Sequence, residues 1–187
     1  GTGDVSVGNA GGSLADPAIL EVSSGGVFSA VQRNPDQSIA SQARIIVGDL
    51  SGGNGRINVS GTDSFVEASA IYVGDGDTSS TGALTIFGGT VKTIGEFQAG
   101  SNGNGVGVVN VQGSTSVLEV GTTFSLGDDL PGDGSASGSL SVGGGGTVTN
   151  GSHAYIGHFT GSIGFANIGN SSPATSSWTI GGELTLA

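Results

Sequence analysis

Acidic residues recur directly after a glycine that closes a short apolar segment. The segments IIVGD, IYVGD and FSLGD end at Asp49, Asp75 and Asp128. Like charges on neighbouring strands, ~4.8 Å apart, repel each other, and a bound cation would relieve that repulsion. Loops 74–77 and 127–134 add further carboxylates, and Ca²⁺ prefers clustered carboxylate oxygens. The predicted calcium ligands are Asp49, Asp75, Asp77, Asp128, Asp129 and Asp133. The alternative is that they are turn residues that bond their own backbone.

Two tyrosines hold equivalent positions in two copies of the same segment, IYVGD and AYIGH. Tyr72 and Tyr155 are expected to project outward from one face, and aromatic rings can grip sugars and protein partners. We therefore predict a binding role for both, with isolated surface rings as the alternative. His153 and His158 flank the second tyrosine and are five residues apart. That separation would place them on opposite faces of an extended strand, which argues against a shared metal site.

A repeat that runs through the whole chain must position these residues. Its copies align on the glycine of the segment, with anchors at Gly8, Gly48, Gly74, Gly100, Gly127 and Gly157. After the first copy, the anchors are 26–30 residues apart. A repeat of that length is typical of a solenoid, a propeller or an array. The residues three and one before each anchor are apolar, and the residue between them is mostly polar or amphipathic. This period-two alternation predicts a short strand with one buried face in every copy.

Two more strands are predicted in each copy. The second has inward pairs such as Leu84 with Ile86, separated by an outward polar residue. The third is weaker and is predicted around Phe28, Phe65 and Val66, Val91, Val117 and Leu118, Val148, and Trp178. Three strands and three turns in roughly 26–30 residues fit one turn of a parallel β-helix, and they are too few for a four-stranded propeller blade.

The predicted fold is therefore all-β: a parallel β-helix, or β-solenoid, of about six coils with three short strands per coil. Residues 1–187 are predicted to form a single domain with an insertion at 32–43 in the first coil. Stacked coils place equivalent residues above one another, so apolar residues form interior columns and glycines line one corner. Because the last residues read as the first strand of another coil, we expect a segment of a longer rod or a subunit that stacks end to end.

Composition limits the classes of partner. The 187 residues carry 15 acidic and four basic side chains, which gives a net charge of −11. Such a surface repels nucleic-acid phosphates and anionic lipid. The chain has no cysteine and hence no disulfide framework or thiol nucleophile. No run approaches 18 apolar residues, so membrane insertion is not predicted.

The patterns VGDG and TGALTIFGGTV within 73–91, with SSWTIGGELTLA at 176–187, resemble known repeats. They are similar to the glycine-rich repeats of bacterial autotransporter (type V secretion) passengers and of related PEP-CTERM-associated repeat proteins. The resemblance covers nearly the whole chain. It implies a right-handed β-helix that is secreted, at the bacterial cell surface or in the extracellular matrix, and that serves as an adhesin, a stalk or a matrix component.

The predicted function is that of a non-enzymatic extracellular structural or adhesive solenoid. A polysaccharide lyase needs a basic residue placed to take a proton, but the basic residues are scattered along the chain. A glycoside hydrolase needs clustered carboxylates, but only Asp128 and Asp129 are adjacent, and they are in a loop. A serine hydrolase of the α/β type needs a G-x-S-x-G elbow, and none occurs. One alternative is a subunit that assembles into an extracellular fibre by end-to-end stacking. Another is a carbohydrate-active enzyme or a glycan-binding module on a β-helix. The expected partners are a surface glycan, a protein receptor or a second copy of the chain.

Overall fold

Three parallel β-sheets wind the chain into stacked coils. The computed structural model describes residues 3–8, 17–76, 79–128, 135–169 and 174–187. These residues form six coils and the first strand of a seventh, and each complete coil contributes one strand to each sheet. Within the described ranges there is no α-helix. The predicted all-β parallel solenoid with three short strands per coil is confirmed.

The strands are numbered in chain order, coil by coil. Coil 1 contains β1 (Val5–Val7), β2 (Ala18–Ser23) and β3 (Val27–Ser29), and is followed by β4 (Val31–Arg33) and β5 (Ile39–Gln42). Coil 2 contains β6 (Ile45–Asp49), β7 (Asn54–Ser60) and β8 (Phe65–Ala68), and coil 3 contains β9 (Ile71–Asp75), β10 (Thr81–Phe87) and β11 (Gly89–Thr93). Coil 4 contains β12 (Phe97–Ser101), β13 (Val106–Gln112) and β14 (Ser116–Val120), and coil 5 contains β15 (Phe124–Asp128), β16 (Ser137–Gly143) and β17 (Thr147–Asn150). Coil 6 contains β18 (Ala154–Ile156), β19 (Ile163–Ile168) and β20 (Ser177–Ile180), and β21 (Leu184–Leu186) follows.

Each sheet collects the equivalent strands of successive coils. The first sheet has the order β1-β6-β9-β12-β15-β18-β21, the second has β2-β7-β10-β13-β16-β19, and the third has β3-β8-β11-β14-β17-β20. Equivalent residues are paired directly, as Val47 is with Val73 and Val73 with Ala99. All three of these side chains are fully buried. The stacking predicted from the glycine anchors is therefore confirmed, and the apolar columns it creates supply the main stabilising term, about 25 cal/mol per Å² buried.

The third sheet shows which residues of the third predicted strand face the interior. Val66 pairs with Val91, and Val91 pairs with Leu118, so these three side chains form the buried inward column. Phe65 and Val117 belong to the opposite, outward face, because neighbouring residues of a strand alternate.

Inside the solenoid, the rings of Phe97, Phe124 and Trp178 pack in a row, with successive centroids 5.1 Å apart.

One corner is built from two columns of glycine. The anchor glycines occupy the left-handed region, as Gly100 does with φ of 67°, and a Cβ there would lie 2.1 Å from the carbonyl oxygen of Ser137. The second strand contributes a further glycine, and a Cβ on Gly138 would lie 2.0 Å from the carbonyl oxygen of Ala99. The sequence prediction included only the anchor column. The second column is Gly55, Gly82, Gly107, Gly138 and Gly164.

The insertion predicted at 32–43 forms an antiparallel hairpin. Strands β4 and β5 pair with each other and add no strand to the three parallel sheets. The hairpin is tied to the body of coil 2 by Arg33, whose Nη2 lies 2.5 Å from Oε1 of Glu67. Because the Glu67 side chain is only 7% exposed, this ion pair compensates a nearly buried charge.

Candidate functional site

The predicted acidic column lies on the corner between the first and second sheets. Strands β6, β9, β12 and β15 all end immediately after an anchor glycine, and their last residues are in register: Asp49 beside Asp75, Asp75 beside Ser101, and Ser101 beside Asp128. The left-handed glycine turns the chain, so the following side chain lies outside the stacked interior. The structure therefore places three of the six predicted calcium ligands in one column.

Each carboxylate in this column has a polar partner of its own. Asp49 accepts a hydrogen bond of 2.8 Å from Ser6 in coil 1, whereas Asp75 accepts one of 2.9 Å from Ser101 in coil 4 and another from Asn102. The two neighbouring carboxylates thus bond in opposite directions along the axis, which reduces their mutual repulsion without a cation. Asp128 lies 3.3 Å from Nδ1 of His158 in coil 6.

The other three predicted ligands, Asp77, Asp129 and Asp133, lie outside the described residues. Among the residues that are described, no group of three or more His, Cys, Asp or Glu side chains is arranged to hold a metal ion. The calcium prediction thus remains a prediction, and it depends on the loops that carry these three residues.

Tyr72 lies at the centre of a polar chain that crosses four coils. Its hydroxyl donates to Glu96 of coil 4, and the guanidinium carbon of Arg44 lies 5.7 Å from the ring centroid. Arg44 in turn forms an ion pair with Asp4 of coil 1, in which Nε is 3.0 Å from Oδ2. Burial and the bond to Glu96 raise the pKa of Tyr72 to about 12. The bond from Arg44 lowers the pKa of Asp4, and the same bond raises the pKa of Arg44.

Tyr155 belongs to a separate aromatic cluster at coil 6. Its ring stacks on His158 with centroids 4.3 Å apart and lies parallel to His153 at 6.3 Å. His158 also packs against Phe159 at 4.3 Å. The prediction that the two histidines lie on opposite faces is wrong: both pack against the same tyrosine. The extended strand ends at Ile156 and Gly157 turns the chain with φ of 66°, so alternation does not continue as far as His158.

The two tyrosines do share one face of the first sheet. Tyr72 pairs with Gln98, Gln98 with Ser125, and Ser125 with Tyr155, so three coils separate the rings as predicted. Ser125 is buried between them, and its Oγ has no hydrogen-bond partner within the described part of the chain. Each ring is held by its own neighbours, so the rings form two local clusters.

Sequence reasoning missed an uncharged surface on the second sheet. We call the outward side chains of β10, β13, β16 and β19 the neutral face, because the sequences TGALTIF, VGVVNVQ, SGSLSVG and IGFANI contain no Asp, Glu, Lys, Arg or His. An open groove of about 260 Å³ lies along one edge of this face, where β13, β16 and β19 end. Its lining residues are Gln112, Ser141, Val142, Gly143, Gly144, Asn167 and Gly169. The signal was visible in the sequence as four equivalent strands without charge in a chain of net charge −11.

Comparisons with known proteins give no family for this chain. No protein-family model, curated protein or solved structure matches it. In the described residues, no helix is long and apolar enough to cross a membrane.

Proposed function

We propose that this chain is a non-enzymatic structural or adhesive solenoid of an extracellular or cell-surface rod. The observation that supports the proposal is the unbroken register of the coils: every described coil is joined to the next by three parallel ladders. In a stack of this kind, backbone hydrogen bonds run along the axis and each coil contacts only its neighbours. Such a body holds its outward side chains at fixed distances from one another. A rod that presents binding groups to other molecules requires this.

The outer surface supports the same role. Ion pairs and polar chains link coils across the outside, for example Lys92 with Glu119 at 3.4 Å and Asp4 with Arg44. These contacts hold the outer side chains of neighbouring coils against each other. The positions of these side chains therefore do not depend on a bound ligand. We propose a secreted or cell-surface location, because the repeat pattern resembles that of bacterial autotransporter passengers and PEP-CTERM-associated repeat proteins.

The open edges of the three sheets favour a second candidate, end-to-end assembly into a fibre. Within the described residues, β1, β2 and β3 are the edge strands at one end of the stack, and β21, β19 and β20 are the edge strands at the other. Apolar side chains of the interior columns are exposed on β21, namely Leu184 (49%) and Leu186 (68%). Free parallel edges can pair with another chain. Sedimentation of the purified chain over a wide concentration range tests this candidate: growing species support it, and a constant monomer contradicts it.

Antibody labelling combined with a cleavage assay tests the main proposal. Antibodies against the purified chain should label intact cells of the producing organism, or material released from them. Label that appears only after the cells are permeabilised would contradict the extracellular role. The purified chain should also release no new reducing ends from a panel of polysaccharides, with and without added Ca²⁺. Release of reducing ends would favour the carbohydrate-active enzyme.

A further inference from the structure

We propose that the neutral face binds an extended, uncharged polysaccharide that lies across β10, β13, β16 and β19, parallel to the solenoid axis. This inference rests on the proposed function, since it names the ligand class that an adhesive rod would hold on one of its outer faces. It differs from the tyrosine platform predicted from the sequence, which lies on the first sheet.

The distribution of charge selects the ligand class. The outward residues of the third sheet include Glu67, Lys92 and Glu119, and the corner of the first sheet carries the aspartate column. The neutral face has no charged side chain although the chain as a whole carries −11. An anionic polymer would be repelled by this overall charge, and the nearest cation of the second sheet, Arg56 on β7, lies beside Ala83 at one edge of the face and outside the groove. A neutral ligand meets no such barrier, and uncharged polar groups cost less to desolvate than charges.

Open hydrogen-bonding groups favour a ligand rich in hydroxyls. Thr85, Asn110, Ser141 and Asn167 are in register along the middle of the face. Within the described residues, the side chains of Thr85, Asn110 and Asn167 make no hydrogen bond, and Ser141 accepts only a 3.5 Å contact from Gln112. Their amides and hydroxyl both donate and accept, as sugar hydroxyls do. An apolar protein surface would leave these groups unsatisfied, which argues against an apolar partner surface as the occupant.

Exposed aromatic rings provide the apolar part of the site. Phe87 on β10 is 68% exposed and Phe165 on β19 is 60% exposed. The C–H face of a pyranose packs on an aromatic ring, while its hydroxyl rim reaches neighbouring polar groups. The two rings lie in coils 3 and 6 and in different columns. Phe87 continues the column of Gln112 and Gly143 that lines the groove, so a chain that follows the groove meets Phe87 at one end of the face. Phe165 lies beside Ser139, four residues earlier along the strands than Gly143 and to one side of that path.

The spacing of the coils matches a polymer better than a single sugar. Successive strands of the face are ~4.8 Å apart, close to the length of one sugar unit in an extended β-linked chain. Consecutive sugars would therefore meet equivalent positions of consecutive coils. Gly143 contributes to this path because the column of Phe87 and Gln112 continues there without a side chain, which opens the groove.

Calorimetric titration of the purified full chain tests the inference. The probes are cellohexaose and chitohexaose, both neutral, and hexagalacturonate, which is anionic. We expect saturable binding of at least one neutral probe and none of the anionic probe. Phe87→Ala should weaken binding about tenfold, and so should Asn110→Ala combined with Asn167→Ala. Gly143→Leu should block the groove at little folding cost, because the atoms nearest to a Cβ there belong to the movable side chain of Gln112, the closest at 2.4 Å.

Matched variants on the third sheet serve as controls. Phe65→Ala and Thr179→Ala also shorten outward side chains, and both should leave Kd unchanged, while thermal melting shows that every variant is folded. Absence of binding to both neutral probes overturns the inference, as does binding that survives Phe87→Ala and Gly143→Leu. Self-association of the chain that Phe87→Ala abolishes also overturns it, in favour of a second copy. New reducing ends in the same mixtures would overturn the non-enzymatic proposal instead, so the two failures are distinguishable.

Discussion

At the scale of single residues, the corner glycines make the sharpest stability test. Gly100 and Gly52 both have a left-handed φ, of 67° and 74°, but a Cβ on Gly52 meets nothing within 4 Å. Gly100→Ala should lower the free energy of unfolding by about 3 kcal/mol or more, because it adds a clash with the Ser137 carbonyl to the backbone strain. Gly52→Ala should cost about 1 kcal/mol from the strain alone. Urea unfolding of both variants measures the difference, and equal losses would contradict the close approach at the corner.

The Tyr72 hydroxyl gives a residue-scale prediction for alkaline pH. Burial and the bond to Glu96 raise its pKa from 10.0 to about 12, and the nearby Arg44 only partly opposes this. A group whose pKa is raised by folding contributes stability that is fully present below the unfolded pKa and is lost as pH rises through the folded pKa. The free energy of unfolding should therefore fall between about pH 10 and about pH 12.

Removal of the other tyrosine isolates this effect. In Tyr155→Phe, phenolate absorbance of the folded chain should appear with a midpoint near pH 12, and in urea it should appear near pH 10. Glu96→Gln should lower the folded midpoint, since it removes the carboxylate that opposes ionisation. A folded midpoint near pH 10 in Tyr155→Phe would contradict both the burial of Tyr72 and its contact with Glu96.

Side-chain partners were the part of the candidate site that the sequence could not provide. The shared column of Asp49, Asp75 and Asp128 followed from the anchors and is confirmed by the register. The direction in which each carboxylate bonds depends on hydroxyl, amide and imidazole groups of other coils, as Asp75 depends on Ser101. Only the packed structure brings these groups within reach. The position of His158 was mispredicted for a similar reason, because the period-two rule was applied past a left-handed glycine.

At the scale of elements, the ion pair between Arg33 and Glu67 joins the hairpin formed by β4 and β5 to coil 2. Arg33→Ala would leave the nearly buried Glu67 without its partner, and we expect a loss of about 2 kcal/mol in the free energy of unfolding. Lys92→Ala removes an ion pair on the same sheet, but Glu119 is 46% exposed, so a loss of about 0.5 kcal/mol is expected. Adding Glu67→Gln to Arg33→Ala should recover part of the loss. A cycle with no coupling between Arg33 and Glu67 would contradict the contact.

The strands themselves were more predictable than their connections. Alternation fixed the inward residues of the first two strands, since a shift by one residue would move every side chain to the other face. The third strand was ambiguous because it contains two adjacent apolar residues, Phe65 and Val66 in coil 2 and Val117 and Leu118 in coil 4. The hairpin could not be derived from periodicity, because the segment at 32–43 belongs to no other copy of the repeat.

At the scale of the whole molecule, stability is shared between neighbouring coils. Each coil packs only on the coils before and after it, so a central coil supports two interfaces and a terminal coil supports one. The neutral face and the acidic column both depend on this stack, because the spacing of their side chains along the axis is the spacing of the coils. Damage to a central coil should therefore affect every outer surface, whereas damage at an open edge should remain local.

The same substitution at two positions of one interior column tests this dependence. Val73 lies in coil 3 and is fully buried, while Leu186 holds the equivalent position of β21 and is 68% exposed. Val73→Asp should lower the free energy of unfolding by about 4 kcal/mol or more, because it buries an unpaired charge between two coils. Leu186→Asp should cost less than about 1 kcal/mol, since water still reaches the carboxylate. Urea unfolding followed by circular dichroism gives both values. If Val73→Asp leaves the transition unchanged, coils 2, 3 and 4 do not share an interior column, and neither the rod nor its faces could be built as described.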